Sequence, residues 1–259
     1  MKLPEELQFI QNARLPQKTT TARMDGKVCV VTGATSGVGY QTARRLAQGG
    51  AKIVMVCRNE QKALTVQKEL QQQFPVQIDV VLADFSRLSD VRRAAEAINM
   101  QYPKVHILIN NAGVHHTHRR LSEDGYEMVF AVNHLASFLL TRLLLDKLIA
   151  SAPARIIQVN SQGHRFGGLD LNDLNWDRRR YRGLAECNAE WRCRHSGFSP
   201  FRRNRHLPAE KRQTGFTCRS RPGRHGIQVR FIAGSRGAYD YHPRNGYLWR
   251  CFGSVSDCY

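Results

Sequence analysis

The chain has 259 residues, 42% of them hydrophobic and 8% aromatic, which is enough to bury the core of one ordinary domain and excludes fully disordered and collagen-like proteins. Lys and Arg number 39 against 21 Asp and Glu, and the resulting net charge of +18 favours an anionic ligand or surface as partner. We find neither a signal peptide nor an apolar run of the roughly 18–20 uncharged residues that a membrane helix needs, so we expect no transmembrane segment and a cytoplasmic location.

From Lys27 onward, short apolar runs alternate with amphipathic segments. In chain order the pattern predicts strand 28–31, helix 41–48, strand 53–57, helix 60–72, strand 76–82, helix 86–99, strand 105–109, helix 126–149 and strand 155–159. Strands that alternate with helices, without hairpin signals, form parallel sheets with right-handed crossovers. We therefore expect an α/β fold, a Rossmann-type doubly wound parallel sheet with helices on both faces, whose ligands bind beyond the carboxyl ends of the strands.

The composition changes after Leu184. Residues 185–259 hold 14 basic residues, 13 of them arginine, and five of the seven cysteines, but only six Leu, Ile and Val. Apart from an alternating, strand-like stretch at 226–232, they follow neither the helix nor the strand period. We therefore expect an N-terminal extension (1–24), an α/β domain (25–184) and a basic, Cys/Arg-rich tail that is poorly ordered. The fold would then be irregular or incomplete at its C-terminal side, with one sheet edge uncovered and poor solubility.

A glycine-rich turn joins the first strand to the first helix. Gly33 permits the tight turn, Gly37 lets a pyrophosphate approach the backbone, and Gly39 lets the helix pack against the sheet. The helix then begins with free N–H groups at the positive end of its dipole. Because the glycine-rich turn lies between a strand and a helix, it predicts dinucleotide binding, with a plain structural turn as the alternative. The candidate cofactor-binding residues are Thr32, Gly33, Thr35, Ser36, Gly37, Val38 and Gly39.

The residue after the second strand distinguishes NADP from NAD. An acidic residue there would bind the ribose hydroxyls and repel a 2′-phosphate, whereas Arg58 can pair with a phosphate through two parallel hydrogen bonds. We therefore expect NADP rather than NAD. Two points weigh against it: Glu60 is close in sequence, and a solvated surface arginine would look the same.

The polar residues that follow the later strands resemble those of the short-chain dehydrogenase/reductase family. The resemblance extends over roughly residues 25–184, and three segments, 132–135, 152–155 and 161–166, are similar to its retinol-dehydrogenase-like branch. Besides the glycine turn, the matching residues are Asp84, Asn110, Asn111, Ala112, Gly113, Asn133 and Ser161.

This resemblance implies NADP-dependent hydride transfer to or from a carbonyl/alcohol pair, with a lipophilic small-molecule substrate and family members that often form homo-oligomers. Asp84 would hold the adenine and Asn110 would lie along the adenosine ribose, followed by Ala112 and Gly113 as further cofactor-binding residues. Asn133 would support a proton-relay water, and Ser161 would polarise the substrate carbonyl. Ordinary caps and turns are the alternative for Asp84 and Asn110.

One part of the family's catalytic machinery is missing. The family delivers the proton from a Tyr whose pKa is lowered by a Lys four residues later. The expected positions hold Cys187 and Trp191, and no Tyr after Ser161 has a Lys at that spacing. Because the loss coincides with the change in composition, a frameshift, a retained intron or a pseudogene would explain it. A catalytically impaired nucleotide-binding protein is therefore the alternative to an active oxidoreductase.

The tail allows two further interpretations. We expect no metal site, because the tail contains no Cys-x-x-Cys pair and its Cys and His spacings fit no common zinc module. The arginines, interleaved with Phe198, Phe201 and Phe216, would attract RNA through phosphate contacts and stacking. A basic RNA-associating protein is thus the third alternative, although we expect no specific nucleic-acid partner.

Overall fold

In the described part of the chain, the computed structural model has a sheet whose first five strands in chain order are parallel. The structure describes residues 20–160 and 170–181, and the backbone of two later strands, 227–233 and 237–240. The five strands are β1 (Val28–Thr32), β2 (Lys52–Cys57), β3 (Ile78–Leu82), β4 (Ile107–Asn110) and β5 (Ala154–Asn160). Their spatial order is β3-β2-β1-β4-β5, so the order of the strands reverses between β1 and β4. A reversal of this kind opens a crevice at the carboxyl ends of the two strands.

Within the described residues, four helices cover the two faces of this sheet. They are α1 (Gly37–Gln48), α2 (Glu60–Gln73), α3 (Leu88–Gln101) and α4 (Met128–Ala150). Successive strand residues point to opposite faces, so Val31 packs with α1 and α2 while Val30 packs with α3 and α4. The predicted doubly wound α/β fold is confirmed, with element bounds that differ from the predicted ones by a few residues.

Helix α4 is interrupted where the sequence predicts a continuous helix. An α-helical turn, Met128–Phe130, leads into a π-helical segment, Ala131–Ala136, before α-helix resumes at Ser137–Ala150. π-Helical turns are rare and occur mainly at functional sites, and this one contains Asn133.

Helix α4 bears on the expectation of no transmembrane segment, which stays a prediction. Among the described residues it is the one helix long and apolar enough to cross a membrane, although half of its apolar window is buried in the fold. The core helix of a soluble protein has the same composition, so this finding is weak evidence for a membrane span.

Two strands from the tail extend the sheet. Strand β6 (Ile227–Ala233) pairs in parallel with β5, and β7 (Gly237–Asp240) pairs antiparallel with β6. The alternating stretch 226–232 thus forms the strand that it predicts. Because β6 covers the whole of β5, β7 forms the edge of the sheet on this side among the described strands, and an uncovered edge there stays a prediction. The basic tract and the remaining Cys and His residues of the tail lie outside the described residues.

His106 joins three strands at the end of the sheet opposite the crevice. Its ring Nδ1 accepts a hydrogen bond from the backbone N–H of Val28 (3.0 Å), and the backbone N–H of His106 donates to the Val28 carbonyl (2.9 Å). The His106 carbonyl accepts from Arg155 N–H at the start of β5 (2.8 Å). Burial, followed by the nearby charges of Lys27 and Lys104, lowers the pKa of His106 below its ordinary value. The fold therefore favours the neutral ring, which alone can accept the Val28 bond.

We predict that acid destabilises the chain partly through His106. Because its pKa is lower in the fold, the unfolded chain binds more protons between the two pKa values. The histidine's contribution is therefore complete above the ordinary value of 6.5 and is lost as the pH falls below 6.5 and through the lower pKa of the folded chain. His106→Gln should cost about 1 kcal/mol at neutral pH and flatten the fall in unfolding free energy as the pH is lowered from neutral through this range.

Urea unfolding at a series of pH values measures this effect. The same substitution at His118, an exposed loop residue, is the control and should leave the pH dependence unchanged. An unaltered slope in the His106 variant would contradict the assignment.

Candidate functional site

The N-terminus of α1 faces the crevice without a capping side chain. Among the described residues, no side chain caps it, and its first turn contains no acidic residue. By contrast, Asn59 Oδ1 caps α2 by accepting from Lys62 N–H (2.9 Å). Gly37 has φ +56°, and a Cβ built on it would meet no atom within 4 Å. The first N–H groups of α1 are therefore open to an anion, in the place that the glycine turn predicts for a pyrophosphate.

The other two glycines of the turn are needed because the chain is crowded there. Gly33 has φ +68°, and a Cβ on it would lie 2.9 Å from the Cα of Ala112. A Cβ on Gly39 would overlap both the Gly33 carbonyl oxygen and the Nδ2 of Asn111. Gly39 therefore makes room for the loop that follows β4, a closer contact than the helix–sheet packing that we expected of it.

Thr32 and Asn111 connect the glycine turn to the loop after β4. The Thr32 hydroxyl is fully buried and accepts from the backbone N–H groups of Asn111 and Ala112, both at 2.9 Å. Asn111 Nδ2 donates to the carbonyls of Thr32 (2.9 Å) and Gly33 (3.2 Å). The Thr32 side chain is thus engaged within the protein. Asn111 matches the family pattern, but the sequence assigns it no role, because nothing local shows which of two adjacent asparagines turns toward β1.

The candidate adenosine residues follow two neighbouring strands. Arg58 is exposed directly after β2, and Asp84 is half-buried shortly after β3. Asp84 Oδ1 accepts from both the backbone N–H (2.9 Å) and the hydroxyl (2.8 Å) of Ser86. This is the turn geometry that we named as the alternative for Asp84. Of the remaining turn residues, Thr35 is half-buried, and Ser36 and Val38 are exposed.

The Asn110 side chain turns away from the crevice. It is fully buried, and its Nδ2 donates to Thr141 Oγ1 on α4 (2.8 Å). Its Oδ1 is buried and has no hydrogen-bond partner in the described part of the chain. Any contact of Asn110 with a ribose would therefore come from its backbone, and its place along the adenosine ribose stays a prediction. Ala112 and Gly113 lie at the mouth of the crevice, half-buried and exposed respectively.

Asn133 holds the loop after β4. Its Oδ1 accepts from Val114 N–H (2.7 Å), and its Nδ2 donates to the Val114 carbonyl (3.0 Å). A Cβ on Gly113 would lie 3.3 Å from the Asn133 Oδ1. The structure thus brings Asn133 to residues 113–114. Ser161, Cys187 and Trp191 lie outside the described residues.

Comparisons with known proteins agree with this site. The family model for short chain dehydrogenases matches residues 27–170. Human retinol dehydrogenase 13 is 42% identical over 178 residues, 68% of this chain and 53% of that protein. Human retinol dehydrogenase 11 is 41% identical over 173 residues, with 66% and 54% covered. The chain thus spans about half the length of the curated relatives it matches.

Among the solved structures that share this fold is one with a bound nucleotide. It is described as an NAD(P)-dependent gluconate 5-dehydrogenase from Beutenbergia cavernae with bound NADP. It is 25% identical to this chain, with a TM-score of 0.54, and the match covers 66% of this chain and 63% of that one.

We predict that alanine at Gly39 destabilises the fold more than alanine at Gly37. The methyl group of Gly39→Ala would push away the Gly33 backbone and the Asn111 side chain, and it should lower the free energy of unfolding by about 2–3 kcal/mol. The methyl group of Gly37→Ala enters open space. This variant should lose only the roughly 1–2 kcal/mol that a residue with a Cβ costs in the left-handed conformation. Urea unfolding of both variants tests this order, and equal losses would contradict the packing described for Gly39.

Proposed function

This chain belongs to the short-chain dehydrogenase family, in its retinol-dehydrogenase-like branch, and from that premise we propose that it binds NADP and transfers hydride to or from a carbonyl/alcohol pair. The substrate that we propose is a lipophilic small molecule, as the names of the relatives suggest. The cytoplasmic location and a homo-oligomeric state stay predictions.

The observation that carries the proposal is the open N-terminus of α1 at Gly37. A pyrophosphate needs several N–H donors and an approach that a Cβ would block. The chain offers an uncapped helix start, no acidic residue in its first turn and a positive-φ glycine with empty space above it. These residues fit a dinucleotide.

Arg58 supports NADP over NAD. It is exposed directly after β2, where the adenosine ribose of a dinucleotide lies in doubly wound folds. A guanidinium can form two charge-assisted hydrogen bonds to a 2′-phosphate, which NAD lacks.

Different residues of the chain would bind the cofactor, position the loop after β4 and polarise the substrate. NADP, when bound, would supply or accept the hydride through its nicotinamide. The backbone N–H groups at Gly37–Gly39 would bind the pyrophosphate, and Arg58 the 2′-phosphate. Asn133 would keep the loop after β4 in place, and by family resemblance Ser161 would polarise the substrate carbonyl.

A specific observation favours a second candidate function, nucleotide binding with impaired turnover. No Tyr after Ser161 is followed four residues later by Lys. Without a positioned acid, the developing alkoxide must take its proton from water, which typically lowers the rate by about 10²–10⁴-fold. The coding DNA bears on its origin: if no other frame of the region after Leu184 encodes Tyr-x-x-x-Lys, a frameshift is excluded.

We predict that the chain binds NADPH and that Arg58→Gln weakens this binding about tenfold while leaving NADH binding unchanged. The reason is that only NADPH carries the phosphate that Arg58 would contact. NADPH fluorescence measures both affinities. Arg92→Gln removes the same charge from an exposed position on α3 and is the matched control.

Turnover on a panel of ketones and retinaldehydes then separates the two candidates. Binding with turnover supports the oxidoreductase, and binding without turnover supports the impaired protein. Soluble, folded chain that binds neither nucleotide would overturn both.

A further inference from the structure

Residues 170–181, which we call the brace, pack against the chain that leads into α4. Asn175 makes the central contact, because its Oδ1 accepts from Glu127 N–H (2.9 Å) and its Nδ2 donates to the Gly125 carbonyl (3.1 Å). Arg119 Nε donates to the Asn175 carbonyl (2.8 Å), and its guanidinium also pairs with Asp177. One side chain thus satisfies two backbone groups just before the helix begins.

Glu127 connects Asn175 to the start of α4. It is fully buried, and its two carboxylate oxygens accept from Val129 N–H (2.9 Å) and Phe130 N–H (2.8 Å), which caps the helix. Tyr181, at the end of the brace, donates its hydroxyl to the same carboxylate (3.3 Å). A buried carboxylate is stable only with such donors, so the position of Glu127 is tightly fixed.

The capped turn leads directly to Asn133, which the family resemblance places near the reacting end of the cofactor. Asn133 lies three residues after Phe130, in the π-helical segment, and bonds both backbone groups of Val114. A shift at Glu127 would therefore move Asn133 and, with it, the loop at 113–114. The adenosine end is linked less directly: Asp124, beside Gly125, accepts from Leu88 N–H (2.8 Å), and Arg87 N–H donates to the Asp84 carbonyl (3.0 Å). In the described part of the chain no hydrogen bond joins the brace to Arg58 or to the Asp84 carboxylate, which bonds Ser86.

The brace is itself held in a demanding conformation. Trp176 is buried with φ +56°, a region that costs a bulky side chain about 1 kcal/mol or more. The Arg179 guanidinium lies 4.0 Å from the centre of the Trp176 ring, and its Nε donates to Asp173 Oδ2 (3.1 Å). Burial would raise the pKa of Asp173, but the backbone N–H of Asp177 and the Arg179 guanidinium outweigh it and hold that pKa low. These contacts keep Asn175 facing Glu127.

We propose that Asn175 is a positioning residue for the nicotinamide half of the cofactor. It acts through the Glu127 cap and Asn133 and does not itself touch the cofactor. The inference rests on the proposed function, and it assigns a role to a residue in the chain between the fifth strand and the tail.

The test compares two ligands on the full chain. NADPH reaches both ends of the crevice, whereas 2′,5′-ADP carries only the adenosine half with its phosphate. Asn175→Ala should weaken NADPH binding about fivefold, the net contribution of about one hydrogen bond, and change the dissociation constant of 2′,5′-ADP less than twofold. Asn172→Ala, in the same segment and exposed, is the matched control and should change neither. Asn175→Asp keeps the acceptor for Glu127 N–H but sets a carboxylate oxygen against the Gly125 carbonyl, so it should lose at least as much NADPH affinity as the alanine variant.

The outcomes separate this inference from the proposed function. Wild-type chain that binds neither ligand overturns the proposed function and this inference with it. Wild-type binding of both ligands, with equal losses or no losses in the variants, overturns the inference alone. If neither variant folds, hydrogen exchange on the wild type decides: NADPH, but not 2′,5′-ADP, should slow exchange of the Val129 and Phe130 N–H groups. Equal protection by both ligands overturns the proposal.

Discussion

The buried hydroxyl of Thr32 is the contact on which the candidate site depends. It accepts two backbone N–H groups of the loop after β4, while the Asn111 side chain returns two donors to the carbonyls of Thr32 and Gly33. Four hydrogen bonds therefore join the carboxyl ends of β1 and β4, the two strands between which the strand order reverses. Because the Thr32 hydroxyl is fully buried, losing it would leave the two backbone N–H groups without their acceptor, at a cost of about 1–3 kcal/mol. The conformation of the glycine turn follows from this connection.

The sequence was most informative where structure is decided locally. Alternating apolar runs predicted the strands and helices in the right order, and the glycine turn was recognised because a strand precedes it and a helix follows. The stretch at 226–232 formed a strand inside an otherwise irregular tail, since strict alternation suits a pleated sheet even in an unusual composition.

Contacts between distant residues could not be predicted in this way. Asn111 reaches a partner 79 positions earlier in the chain, and Asn175 reaches one 48 positions earlier. No periodicity encodes such a pairing, and an Asn at a turn has the same local signature whether it caps, faces solvent or bridges two segments. Asn110 illustrates the limit. The resemblance implies a place along the ribose for this residue, but it does not show that its side-chain amide donates to the Thr141 hydroxyl on α4.

Side-chain hydrogen bonds join β1 and β4 at both ends of the pair: the His106 ring at the end opposite the crevice, and Thr32 and Asn111 at the crevice. Hydrogen bonds at both ends oppose sliding or separation of the two strands, so the sheet beneath the crevice keeps one spacing. Differences in selectivity among relatives would accordingly be sought in the loops that follow the strands and not in the strands themselves.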